Sequence, residues 1–179
     1  MTAIKEYVIV VDEQDKEMGQ VEKLLAHQLG LLHRAFSVFI FRRPPETQQI
    51  ELLLQQRAAN KYHSPLLWTN TCCSHPRAGE DILSAGERRL KEEMGIEAPL
   101  NNIGRFQYKA YFPNGLIENE MDYVLIGQVD FDTRIEPNPL EIHDYRWMPP
   151  TDIRDTLAAH PEQFTPWFEK ALMMVEDYL

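Results

Sequence analysis

The order in which strand-forming and helix-forming stretches follow one another constrains this chain more than any single motif. Glu6–Val11 is apolar and β-branched and reads as a strand. Ala35–Arg42 (AFSVFIFR) and Ile50–Gln56 (IELLLQQ) read as two more, joined by a loop through Pro44 and Pro45. A loop from Ala58 to Pro65 leads into a short run, Leu67–Cys72. Over Asp81–Met94 the period changes: Ile82, Ala85, Leu90 and Met94 have helical spacing, and Gly95 supplies the stop. Strands return over Ile103–Tyr111 and Asp122–Val129, with Pro113-Asn114-Gly115 as the turn between them. The tail reads as helices, Thr165 being a candidate N-cap with Pro166 at the first helical position. There is no regular βαβ repeat, and several strands look hairpin-connected. The expected class is therefore α/β (α+β), a mixed sheet covered by helices, in a single domain over residues 1–179.

Composition narrows the partners. Hydrophobic residues make up 44% of the chain, enough for a real core, and no apolar run approaches the ~18–20 residues of a membrane span. Met1–Val10 carries Lys5 and Glu6 and lacks the long apolar stretch of a signal peptide, so a cytoplasmic protein is expected. Cys72 and Cys73 are adjacent and are the only cysteines, so no loop-closing disulfide framework exists and their roles are chemistry or burial. The net charge of −10 argues against nucleic acid as a partner. An anionic metabolite would have to be met by cations gathered locally or by a metal.

Residues Glu80 to Ile96 read EDILSAGERRLKEEMGI. On a helix, Arg89 sits beside Glu93 and Arg88 beside Glu92, since residues four apart share a face. A carboxylate and a guanidinium so placed can hold Mg²⁺ and a phosphate oxygen together. Alternatively they are two solvated ion pairs, each worth a few tenths of a kcal/mol. The segment resembles the Nudix box at Glu80, Arg88, Leu90, Glu92, Glu93, Gly95 and Ile96. It departs from that pattern at Ser74, where a Gly belongs, and at Arg89, where a Glu belongs. Nudix hydrolases cluster carboxylates around Mg²⁺ to activate water. Exchanging one of them for Arg89 removes a metal ligand and adds a cation, as in a helix that holds a diphosphate without cleaving it.

Further segments carry a more specific resemblance. Lys23-Leu-Leu-Ala-His27 with His33, Arg57 to Lys61 leading to Trp68-Thr-Asn-Thr-Cys-Cys-Ser-His75-Pro76, Tyr108, Glu118-Asn119-Glu120 and Trp167 follow one another as in type I isopentenyl-diphosphate isomerases. The resemblance covers nearly the whole chain. It implies a Nudix-type mixed β-sheet sandwiched by helices, and conversion of isopentenyl to dimethylallyl diphosphate in isoprenoid biosynthesis. It implies that His27, His33, His75, Glu118 and Glu120 hold one Zn²⁺ or Mn²⁺, a donor set that suits either ion. In an extended segment Glu118 and Glu120 would share one face. It further implies that Lys23, Arg57, Lys61 and Arg89 bind the diphosphate, with Mg²⁺ between it and Glu93.

The chemistry asks for an acid and a base on opposite sides of an alkene, in a site that excludes water. The resemblance gives these roles to Cys73 and Glu120, with Tyr108 hydrogen-bonded near the glutamate. Glu120 is the favoured proton donor to isopentenyl diphosphate and Cys73 the acceptor. Cys73 is chosen over Cys72 because the family's cysteine stands two residues before the His, and strand alternation turns the two thiols to opposite faces. Trp167 would lay its π face against the cation, worth ~2 kcal/mol when desolvated, or else pack with Phe168, Ala171 and Leu172. His63, His143 and His160 lack motif context and read as core or surface residues. Two other functions fit part of the pattern: a Nudix hydrolase of a nucleoside diphosphate derivative, and a non-catalytic metal- or metabolite-binding module. A monomer is expected, with a dimer as the alternative, and a small diphosphate as the only partner.

Overall fold

A computed structural model describes residues 4–179 of the chain. In order, the elements are β1 (Tyr7–Val11), β2 (Glu17–Glu22), α1 (Lys23–Leu29), β3 (His33–Arg42), β4 (Glu51–Arg57), β5 (Trp68–Thr69) and β6 (Cys72–Ser74). They continue as α2 (Ile82–Met94), β7 (Asn101–Tyr111), β8 (Ile117–Gln128), β9 (Ile142–Met148), α3 (Pro150–Ala159), a 3₁₀ turn (Pro161–Gln163) and α4 (Phe168–Tyr178). Strand β3 organises the sheet. It runs parallel to β8 from the His33–Glu120 pair to Phe41–Gln128. Antiparallel partners β1, β6 and β4 meet it at Val10–His33, Phe36–Ser74 to Val38–Cys72, and Phe41–Leu52. Hairpin β7–β8 extends one side, and β9 and β5 pair with β4.

Both faces of the central strands are buried, which is why AFSVFIF is almost unbroken in its apolarity. Val38, Ile40, Leu53 and Leu125 pack with Ala85, Leu90 and Met94 of α2 on one face. Their neighbours Phe39, Leu52, Leu54, Val124 and Ile126 pack on the other with Ile153 and Leu157 of α3 and Phe168, Leu172 and Val175 of α4. The expected sheet sandwiched by helices is thus observed. Helix α2 starts at Asp81, whose side chain accepts from the Ser84 N–H, and ends at Gly95 with φ +68°. It lies close to the sheet through Gly86. A Cβ there would meet Leu125 Cδ1 at 2.6 Å and Leu100 Cδ1 at 2.9 Å. Overpacking outweighs the few tenths of a kcal/mol that Val gains over Gly as a helix former, so Gly86→Val is expected to destabilise by about 1–3 kcal/mol in urea unfolding.

Some expectations change. The run Leu67–Cys72 splits into β5 and β6 around Asn70 and Thr71. There the Asn70 amide donates to the carbonyls of Val38 and Cys72, and Thr71 Oγ1 donates to Leu53 and accepts from Ile40 N–H, so side chains replace part of the ladder. Strands β2 and β9 and helix α1 carried too weak a pattern to be read. Thr165 does not cap α4, which begins after Trp167 without a side-chain cap; its hydroxyl donates to Thr69 Oγ1 instead, tying the helix start to β5. No helix among the described residues is long and apolar enough to cross a membrane.

Candidate active site and metal centre

Parallel pairing of β3 with β8 sets His33 directly across from Glu120. Glu118, two residues earlier on β8, is buried like Glu120. One turn of α1 separates Lys23 from His27, whose Nδ1–H donates to the Lys23 carbonyl at 2.7 Å. His33 Nδ1–H donates to the Leu31 carbonyl at 2.8 Å. Both rings therefore turn Nε2 toward the cluster, as metal-binding histidines do, with the Tyr62 hydroxyl 3.3 Å from His27 Nε2. His75, just beyond β6, brings its Nε2 to 3.1 Å from Glu120 Oε1. The ligand atoms of His27, His33, His75 and Glu120 lie within 4.8 Å of one another, as do those of His27, His63 and Glu118.

These residues fit a divalent cation. His33 Nε2 and Glu118 Oε2 are buried with no hydrogen-bond partner, although His33 Nε2 comes within 3.4 Å of Glu120 Oε1. Each such orphan costs ~1–3 kcal/mol unless something satisfies it, and a cation would satisfy both. Burial pushes the His75 pKa down to about 4, leaving it neutral near pH 7, the form that ligates. Burial works against the Glu120 charge, but the His33 and His75 rings that face it outweigh burial and hold the carboxyl well below its usual range.

A cavity of about 560 Å³ opens beside this cluster. Cys73, His75, Glu93, Glu118, Glu120 and Trp167 all line it, together with Lys23, Arg57, Lys61 and Arg89. His27, His33 and Tyr108 stand behind the wall. Alternation along β6 separates the thiols: Cys72 is fully buried among Val38, Ile40 and Leu53, while Cys73 faces the cavity. The Cys73 thiol donates to Asn70 Oδ1 at 3.1 Å. Burial, with the Asp122 charge nearby, pushes its pKa up to about 12, so it holds its proton. Trp167 Nε1–H donates to the same Asn70 oxygen at 3.2 Å, and the Arg57 guanidinium lies 5.5 Å from the indole centre. Asn70 thus ties the thiol to the indole.

Helix α2 brings Arg89 and Glu93 to the cavity wall. Arg89 donates to Glu93 at 2.6 Å, the i,i+4 contact expected, and lies 3.6 Å from Glu141. Burial raises the Glu93 pKa against the opposing pull of Arg89. Arg88 instead forks onto Glu80 at 2.7 and 2.9 Å, leaving Glu92 at 3.5 Å. Lys61 pairs with Glu141 and Lys23 with Glu6 at 2.8 Å, while Arg57 spends its donors on the carbonyls of His63 and Ser64. Tyr108 is buried with β7 setting it opposite Glu120, and its hydroxyl has no hydrogen-bond partner within strict distance and angle. Three residues went unread as contributors. Asn70 lies within WTNTCCSHP, where its residue type alone assigns it no role. Glu141 and His63 carried no spacing signal, because both reach the site from loops.

The fold and its helix α2 define the class: residues 31–168 match the NUDIX domain family. A Deinococcus radiodurans protein of known crystal structure superposes with TM-score 0.72 at 19% identity, over 97% of this chain and 100% of that one. An Ap4A hydrolase from C. elegans superposes with TM-score 0.59 at 18% identity, over 81% and 96%. At that identity these establish the fold alone. Sequence relatives go further. The isopentenyl-diphosphate Delta-isomerase of Photobacterium profundum is 50% identical over 174 residues, covering 96% of this chain and 95% of its own. That of Serratia proteamaculans is 47% identical, covering 91% and 87%. The chain belongs to the isopentenyl-diphosphate Delta-isomerases of the Nudix fold.

Proposed function

We propose that this chain isomerises isopentenyl diphosphate to dimethylallyl diphosphate, with Cys73 and Glu120 as its acid–base pair. The observation that carries the proposal is one cavity lined by the half-buried Cys73 thiol, the buried Glu120 carboxylate and four cations. Lys23, Arg57, Lys61 and Arg89 take the diphosphate, exchanging present partners such as Glu6 and Glu141 for phosphate oxygens. Glu93, beside Arg89, would be the protein carboxylate for a Mg²⁺ brought with the diphosphate, and that ion would offset phosphate charge. His27, His33, His75, Glu118 and Glu120 would hold one Zn²⁺ or Mn²⁺, which when bound would supply fixed positive charge beside the two carboxylates.

Glu120 gives a proton to the terminal alkene carbon, and Cys73 removes one from the neighbouring methylene; the reverse reaction exchanges the roles. Trp167, held by Asn70, offers its indole to the cationic intermediate. A second reading reverses this polarity: the thiol holds its proton and Glu120 does not, which favours Cys73 as donor. Water-trapped tertiary alcohol formed by Glu120→Gln and absent from Cys73→Ala would select this second polarity. Hydrolysis is the weaker alternative, because Arg89 occupies a metal-ligand position of the Nudix pattern and pairs with Glu93. The enzyme works in the cytoplasm, as a monomer, where a reducing environment keeps Cys72 and Cys73 as free thiols.

Proton NMR of isopentenyl diphosphate incubated with metal-loaded protein in D₂O tests the activity. Deuterium-bearing dimethylallyl diphosphate is the expected product. Free phosphate instead would identify a hydrolase, and unchanged substrate a binding module.

A further inference from the structure

His63 sits on the loop between β4 and β5 and is 6% exposed, yet the metal-centre reading gives it no task. Its Nε2 lies 3.2 Å from Glu118 Oε1 and its Nδ1 3.4 Å from the Ser64 hydroxyl. The ring stacks on Phe112 at 4.9 Å with 18° between planes, and meets Tyr62 edge-on at 4.6 Å. Arg57 pins the loop from below by donating to the carbonyls of Ser64 and His63, both at 3.2 Å. Loop and ring are therefore held from several sides. Ser64 has a hydroxyl proton to give to Nδ1, which leaves the ring proton on Nε2, facing Glu118. Glu118 Oε1 then faces that proton, 3.2 Å from Nε2, while Oε2 remains buried without a partner.

We propose that His63 is a positioning residue of the metal centre: it donates Nε2–H to Glu118 Oε1 and so aims the free Oε2 at the ion. The inference rests on the metal-centre reading above and adds an outer hydrogen bond to it. The physical logic is that of a ligand carboxylate fixed by a neighbour that does not itself touch the metal. Direct ligation by His63 is the competing arrangement. It needs the Nε2 lone pair, and hence the proton on Nδ1 directed at Ser64.

The test is chelator competition for Zn²⁺ and Mn²⁺ with the full chain, with circular dichroism to verify folding. His63→Leu is expected to weaken metal binding ~10–100-fold, the usual effect of losing such an outer partner. His63→Gln, which keeps an N–H near the Nε2 position, is expected to restore most of the affinity. In a Glu118→Gln background, His63→Leu should add no further loss. Unchanged affinity in His63→Leu, or no rescue by Gln, overturns the proposal. A full extra loss on top of Glu118→Gln also overturns it, in favour of direct ligation. Should His63→Leu fail to fold, His63→Asn, whose amide stands at the Nδ1 position and falls short of Glu118, takes its place with the same expected weakening. A wild-type protein that binds neither metal at the cluster sinks the metal-centre reading itself and the inference with it; binding that ignores His63 sinks the inference alone.

Discussion

Cys73→Ala is expected to lower the isomerisation rate by about 10²–10⁴-fold, the span of a lost general acid or base. Cys72→Ala is expected to keep most of the activity. The two thiols are neighbours in sequence but differ in what they face. Cys72 packs as a small apolar group among Val38, Ile40 and Leu53, and truncating it removes one sulfur from a core. Cys73 opens into the cavity and hydrogen-bonds Asn70, which also receives Trp167 Nε1–H. Its loss removes the group proposed to exchange a proton with substrate. Steady-state assays on both variants, with metal content held equal, make the comparison. A Cys73→Ala enzyme with near-normal turnover, or a dead Cys72→Ala, would end the assignment.

Glu120→Gln is expected to cost at least as much, because two functions fall together. The amide cannot serve as a carboxyl acid or base at neutral pH, and it is a poorer ligand than a carboxylate. It also leaves His33 and His75 without the anion that both approach, at 3.4 and 3.1 Å. The expected result is activity at least 10²-fold down and less Zn²⁺ or Mn²⁺ retained after desalting, read by elemental analysis. Full metal retention with lost activity would separate the proton-transfer role from ligation. Retention of both would remove Glu120 from the site.

Some of the site was legible because it depends on neighbours in the chain. The i,i+4 meeting of Arg89 with Glu93 needs only a helix, and the helix announces itself through Ile82, Ala85, Leu90, Met94 and the Gly95 stop. Strand parity turns Cys72 and Cys73 to opposite faces while the resemblance picks Cys73 as the one facing the site, and Glu118 and Glu120 are buried together through the same parity. Where local pattern was weak, reading failed. β2 is exposed along most of its length and has no clear apolar alternation, and β5 and β6 are too short to show any period. Thr165 looked like a cap by residue type, but Thr69 lay close enough to take its hydroxyl, and a distant contact displaced the local one.

By itself, then, the sequence determined the order of the main elements, the apolar faces that pack on the sheet, the orientation of its two cysteines and, through its resemblance, the family. Which groups meet was decided only by tertiary structure. His33 faces Glu120 because β3 lies parallel to β8 in one register, and a shift of one residue would turn either side chain to the opposite face. His63 reaches Glu118, and Glu141 reaches Lys61 and Arg89, from loops with no period to read. Backbone periodicity is set within a few residues and is written locally. Register and loop approach are set by packing both faces of β3 at once, so they exist only when the whole chain is folded.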